Sequence, residues 1–258
     1  QKIGKLIKPG GLGVISFNDR YGCLLEMTRR MVVWRAYQLQ GIDNVHSQAA
    51  LNLAEKFYAE DFSKLKASRP FEAWWKDTLI NPFLASKYHW SYPELIPLLE
   101  QIGCEFYSSS PKWTAIERFT WYKNVSDSSN RHQQLTENMK MYLPFFLTGL
   151  PLSVGEMSSA SSAVIDSLTN LTEQLSAYTV NWGTPIESVI YPPLLDEYLS
   201  QSQDSRLQQF NIEMKNIYEA AKYNQLDRLR SVYQASKCVR SMWGAPYHYI
   251  CFSKMAYS

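Results

Sequence analysis

The residues whose types and spacing could carry chemistry fall in a few places along 258 residues. The tightest group is Asn18-Asp19-Arg20-Tyr21, an amide, a carboxylate, a guanidinium and a phenol in succession. It follows the apolar run Leu12-Gly-Val-Ile-Ser-Phe17 and precedes Gly22. Polar residues there suit a strand-to-helix turn, where Asn and Asp oxygens also cap a following helix by accepting its first N–H groups. A second group is aromatic and basic: Trp34, Arg35, Trp74, Trp75, Lys76, His89 and Trp90. Trp34 lies on a helical stripe of apolar residues and reads as core. Adjacent helical residues face different ways, so Trp74 and Trp75 are not expected to be deeply buried together, and one is expected to face a ligand or a partner.

Other chemistry is excluded by spacing. Cys23, Cys104, Cys238 and Cys251 form no CxxC pair and no Cys/His cluster, which argues against a disulfide scaffold and a zinc site; no metal is expected. His89 and His248 stand apart from Ser, Cys or Asp partners in any catalytic order and read as satisfied structural histidines. The cluster Gly10-Gly-Leu-Gly13 precedes a strand, whereas a phosphate cradle needs glycines between a strand and a helix N-terminus, so it reads as a tight turn. Lys plus Arg total 26 against 24 Asp plus Glu, and a net charge of +2 gives no field toward nucleic acid or an anionic membrane. The longest apolar stretch, Met141 to Leu152, is too short to span a bilayer and is broken by Pro144 and Pro151. With no signal-peptide pattern at the start, a reduced, cytoplasmic protein is expected.

The elements that must position these residues follow from periodicity. Leu12–Phe17, flanked by Pro9-Gly10-Gly11, predicts a buried strand. Leu24, Met27, Met31, Trp34 and Gln38 predict an amphipathic helix ending near Gly41, with Glu26 and Arg30 as a surface pair four residues apart. A second helical pattern runs from Asp43 to Lys66 and a short one from Phe71 to Ile80. Ser91 with Pro93 starts a helix that Gly103 closes, with Leu95, Leu98, Leu99 and Ile102 on its buried face. Cys104–Ser108 and Ile116–Lys123 predict two strands. The polar stretch Ser126–Asn130 is the candidate boundary between residues 1–124 and 125–258. Beyond it helices are expected near 131–143, 157–178, 187–200 and 205–238, then a terminal strand from Tyr247 to Phe252. Asn181-Trp-Gly-Thr-Pro185 and Met242-Trp-Gly-Ala-Pro246 share a Trp-Gly-x-Pro pattern and read as two similar turns.

This order of elements resembles the last third of a class I S-adenosylmethionine-dependent methyltransferase. Leu6-Ile-Lys-Pro-Gly-Gly-Leu-Gly-Val-Ile-Ser16 is similar to that family's turn and fifth strand. Glu94-Leu-Ile-Pro-Leu-Leu-Glu-Gln-Ile-Gly-Cys-Glu-Phe106 is similar to its late helix and sixth strand, and Arg118-Phe-Thr-Trp-Tyr-Lys123 to its antiparallel seventh strand. The resemblance covers about residues 1–124, interrupted by a helical insertion at about 20–90, and leaves a mainly helical extension. It implies an α/β class with a partial Rossmann-like sheet made of late strands only. It also implies S-adenosylmethionine as cofactor and methyl transfer to an unidentified acceptor at the end of strand 12–17. Asp19 would take a proton or bind a cation, Asn18 orient the acceptor, and Tyr21 donate a hydrogen bond or stack. Arg20, Trp34, Trp74 and Trp75 would shape the acceptor site. The cofactor's glycine-rich loop and ribose-binding acid would lie upstream of Gln1, so the chain reads as a fragment. The rival expectation is a non-enzymatic helical interaction module.

Overall fold

The apolar run after the Pro9-Gly10-Gly11 turn forms strand β1, Leu12–Asp19, two residues longer than the pattern predicts. The computed structural model describes residues 2–65, 69–110, 128–151, 158–180 and 183–255. A short helix α1 (Lys2–Leu6) precedes β1. Then come α2 (Leu24–Leu39), α3 (Gln48–Ser63), α4 (Phe71–Trp74) continued by a π-helical turn at Trp75–Leu79, and strand β2 (His89–Trp90). Helix α5 (Tyr92–Gln101) leads through Gly103 to strand β3 (Cys104–Ser110). Helices α6 (Ser128–Thr148), α7 (Ser162–Val180), α8 (Pro193–Ser200), α9 (Ser205–Lys222), α10 (Leu226–Ala235) and α11 (Lys237–Ser241) follow, and β4 (Tyr247–Lys254) ends the series. The class is α/β, and among the described residues the strands form one mixed four-stranded sheet of order β2-β1-β4-β3.

Strand β4 lies between β1 and β3 and runs antiparallel to both, pairing Leu12 with Ser253 through Asn18 with Tyr247 on one side and Cys104 with Lys254 on the other. The strand formed by Tyr247–Lys254 therefore joins β1 and β3, which lie more than 130 residues earlier, into one sheet. A single apolar core joins residues from both sides of the expected boundary at Ser126–Asn130. The strand predicted at Ile116–Lys123 lies outside the described residues.

One sheet face packs inward. Phe17 meets Tyr92 edge-on at 5.2 Å, and His248 lies 5.1 Å from the Phe146 ring. The opposite face is open: Leu12 and Val14 are 62% and 65% exposed, and Tyr107, Tyr247 and Tyr249 are also exposed. The expectation of a buried strand is corrected, because among the described residues the helices cover only one side. In α5 the buried residues are Tyr92, Leu95, Ile96 and Leu99, while Leu98 is exposed and Ile102 half-buried. The rotation differs from the predicted face because Tyr92 is fixed against Phe17 and hydrogen-bonded to His248 Nδ1 at 2.9 Å.

Helix α2 is buried nearly all round, including Glu26, Thr28, Arg29 and Arg30. Its arginines satisfy carbonyls at other elements' ends, the groups a helix cannot pair internally. Arg29 donates to Val239 O and Met242 O at 3.1 and 2.6 Å. Arg30 donates to Asn81 O, Leu84 O and Thr179 O. Glu26 and Arg30 are thus not the surface pair the spacing predicts; both are interior, and Arg30 is committed to carbonyls. The long helix expected over 205–238 breaks into α9, α10 and α11. Arg35 of α2 takes Ala221 O at 2.9 Å, and Ser236 adopts ψ 68, outside the helical region.

Candidate functional site

The turn after β1 is fixed from three sides. Asp19 N–H donates to Pro246 O at 2.8 Å, Arg20 N–H to Trp90 O at 3.0 Å, and Cys23 N–H to Asp19 O at 3.0 Å. Gly22 lies flat against the Met242–Pro246 turn; a Cβ there would sit 2.0 Å from Ala245 O, so only glycine fits. That opposing turn is held by Arg29, whose guanidinium also stacks on Trp243 at 4.1 Å, and by His248 Nε2, 2.7 Å from Ala245 O. His248 is the satisfied structural histidine expected from sequence.

Within this frame Asp19 is fully buried. Its Oδ1 accepts Tyr21 N–H at 3.0 Å and Gly22 N–H at 2.7 Å, the arrangement of a carboxylate serving the entry to α2. Its Oδ2 has no partner. Burial pushes the carboxyl up to about 7, against the pull of the two N–H bonds. Asn18 is half-buried and stands opposite His89 and Tyr247 in the sheet. Tyr21 is buried, its hydroxyl 3.5 Å from Thr169 Oγ1, and burial raises its phenol above the ordinary value. Arg20 Nη2 bonds Glu94 Oε1 at 2.8 Å and His89 O at 3.2 Å. Glu94 Oε2 in turn accepts Ser91 N–H and Oγ–H, so one guanidinium ties the end of β1 to β2 and the start of α5.

The tryptophans are elsewhere. Trp34 donates its indole N–H to Leu79 O at 2.9 Å. Trp74 packs among Phe62, Phe71 and Trp243, and Trp75 donates to Tyr37 Oη at 2.9 Å. Trp74 and Trp75 are both deeply buried, at 4% and 2% exposure, which corrects the expectation that they could not be. The helix carrying them is packed on two sides, Trp74 toward α3 and the Trp243 turn, Trp75 toward α2. Arg35 serves the carbonyl of Ala221, and Lys76 forms an exposed ion pair with Glu72. Asn18, Asp19, Arg20 and Tyr21 therefore share one turn, and Trp34, Trp74 and Trp75 do not join it.

His89, read from sequence as a satisfied structural histidine, is placed differently. It is 1% exposed and neither ring nitrogen has a hydrogen-bond partner, so it is not the satisfied histidine expected. Burial, with Arg20 and Arg30 nearby, lowers its pKa to about 4 and holds it neutral. It lines a cavity of about 190 Å³, counting the part open to solvent, with Cys23, Glu26, Arg30 and Thr78. Burial pushes Glu26 up to about 7. The signal available in sequence was the spacing of Cys23, Glu26, Met27 and Arg30, which places a carboxyl and a guanidinium on one face of α2.

No protein-family model matches this chain, and no curated protein or solved structure matches it. No helix among the described residues is long and apolar enough to cross a membrane.

Proposed function

We propose that these residues form the acceptor side of an S-adenosylmethionine-dependent methyltransferase. The observation that carries the reading is the sheet. A strand running into a polar turn and helix, a helix ended by Gly103 at φ 72° and a further strand follow the order the resemblance implies, while the antiparallel strand beside them comes from the part of the chain the resemblance leaves unmatched. The final strand is Tyr247–Lys254, and residues 111–246 intervene after β3. Among the described residues the outer edge of β1 is paired only at Asn18 and Asp19, by β2, leaving the Leu12–Phe17 backbone open to further strands on that reading.

The residues present do not fit the cofactor. The turn that enters α2 carries the Asp19 carboxylate on its N–H groups, where an anionic ligand group would otherwise bind, and Gly10–Gly13 precede their strand. On this reading the cofactor is held by residues other than these. The part left to this chain is alignment of the acceptor at the end of β1, where ligands of open α/β sheets gather. Asn18 is the half-exposed candidate for touching it.

The alternative, a helical interaction module, is favoured by one observation: Asp19 is spent on the entry to α2. Isothermal titration of S-adenosylmethionine and its demethylated product into the full-length protein separates the two. Saturable binding is expected, and a flat titration by a folded protein overturns the enzymatic reading.

A further inference from the structure

Two carboxyls and a thiol lie buried together at the entry to α2. Asp19, Cys23 and Glu26 are 0%, 1% and 7% exposed. Their spacings of four and three residues set them on one helical side, with Cys23 N–H bonded to Asp19 O at 3.0 Å and Met27 N–H to Cys23 O at 2.9 Å. Among the described residues neither carboxyl forms an ion pair, Asp19 Oδ2 has no hydrogen-bond partner, and Glu26 makes no hydrogen bond. The cations around them are committed elsewhere. Arg20 pairs with Glu94, and Arg69 with Asp77. Arg29 serves the carbonyls of Val239 and Met242, and Arg30 those of Asn81, Leu84 and Thr179. An ionised carboxylate buried without a cation is costly, so ionisation here must draw in water. The cavity lined by Cys23, Glu26 and His89 is partly open to solvent and supplies the path.

The groups facing each carboxyl set the direction of the effect. Asp19 faces Arg20, Glu94 and the N–H groups of Tyr21 and Gly22; burial outweighs the two donors and raises the carboxyl to about 7. Glu26 faces Arg29 and Arg69, with the Tyr247 phenol beside it and Arg30 and His89 lining the same cavity; burial again prevails, at about 7. Burial, then Glu26, then Asp19 push the Cys23 thiol up. The hold these protonated carboxyls give is complete below about pH 4 and is lost as pH rises to about 7. His89, lowered to about 4, acts in the opposite sense between about 4 and 6.5.

We propose that the first turn of α2 is a proton-held latch: with Asp19 and Glu26 protonated it stays closed over Cys23, and their ionisation opens it to water and frees the turn that carries Asn18–Tyr21. The latch stands on this buried cluster and is independent of the methyl-transfer reading.

Iodoacetamide labelling of the whole chain from pH 5 to 7, resolved by peptide mass spectrometry, reads the latch at Cys23. Thiolate formation alone raises a thiol's rate about tenfold per pH unit. Carboxyls whose ionisation opens the turn add up to about tenfold per unit each. Across this range the Cys23 rate rises at least about tenfold more in wild type than in Asp19→Asn/Glu26→Gln, whose amides keep the shape and cannot ionise. The His89 contribution is common to both and drops out of the comparison. Asp19→Asn and Glu26→Gln singly each lose part of the excess, which serves if the double variant does not fold. Cys104, buried in β3, reports global unfolding and shows no such excess. The proposal is overturned if wild type and variants give the same rise at Cys23, if Cys104 shows an equal excess, or if Cys23 stays unlabelled at pH 7.

Discussion

Replacing Gly22 by alanine tests how the turn that carries Asn18–Tyr21 is held. An added Cβ would lie 2.0 Å from Ala245 O, 2.5 Å from Ala245 C and 3.1 Å from Pro246 N, all backbone atoms that no rotamer change can move aside. Restoring ordinary contact requires more than 1 Å of relative shift between the two turns, a distance that follows from van der Waals radii. That shift stretches Asp19 N–H to Pro246 O at 2.8 Å and His248 Nε2 to Ala245 O at 2.7 Å. Two hydrogen bonds at about 1 kcal/mol each, added to about 1–3 kcal/mol of overpacking, give roughly 3–5 kcal/mol of lost stability. The stiffer unfolded chain of the alanine variant offsets about 0.4–1 kcal/mol of this. At about 2–4 °C per kcal/mol for a chain of this size, the melting temperature should fall by about 10 °C. Calorimetric or circular-dichroism melts read it directly. Gly183→Ala is the control, because nothing lies within 4 Å of a Cβ there. If Gly22→Ala melts within 2 °C of Gly183→Ala, the close approach of the two turns is not what fixes the site.

Stability against pH should respond to Asp19. Its folded pKa, about 7, exceeds the ordinary 3.8, so its contribution falls as pH rises from about 4 to 7; Glu26, also raised to about 7, acts the same way. His89 and His248, lowered to about 4, contribute stability that rises with pH from about 4 to 6.5, so the two pairs oppose one another. Urea unfolding of Asp19→Asn at pH 4.5, 5.5 and 6.5 should show stability rising with pH more steeply than wild type, by up to about 1.4 kcal/mol per pH unit; an unchanged slope refutes the assignment. Trp75→Phe loses the indole bond to Tyr37 and opens a void, and should lower the unfolding free energy in urea by roughly 1–3 kcal/mol. A variant as stable as wild type would show that Trp75 is not a core anchor.

Much of the element order was legible because it is written in local spacing. Leu24 to Leu39 repeats at three and four residues, Gly103 ends α5, and Ser91 with Pro93 marks its start. The rotation of α5 was not legible, since Leu98 and Ile96 are equally apolar and the choice between them was made by Tyr92 packing on Phe17. Nor was the burial of Trp74 beside Trp75 legible, because adjacent positions are both interior only when a helix has neighbours on two sides. Glu26 and Arg30 show the same limit from the polar side. Their four-residue spacing fits an exposed pair, and only the carbonyls of Asn81, Leu84 and Thr179 converging on Arg30 draw it inward.

Sequence by itself determined an α/β chain with a strand ending in Asn18-Asp19-Arg20-Tyr21, a Gly-terminated helix before a second strand, and a terminal strand near Tyr247. These are properties of residues close together along the chain. Tertiary structure decided that β4 lies between β1 and β3, that Asp19 is buried against the turn at Pro246, and that His89 and Arg30 line one small cavity. Each of those joins residues tens to hundreds of positions apart, and their pairing is fixed by which buried donors and acceptors remain to be satisfied once the helices have packed.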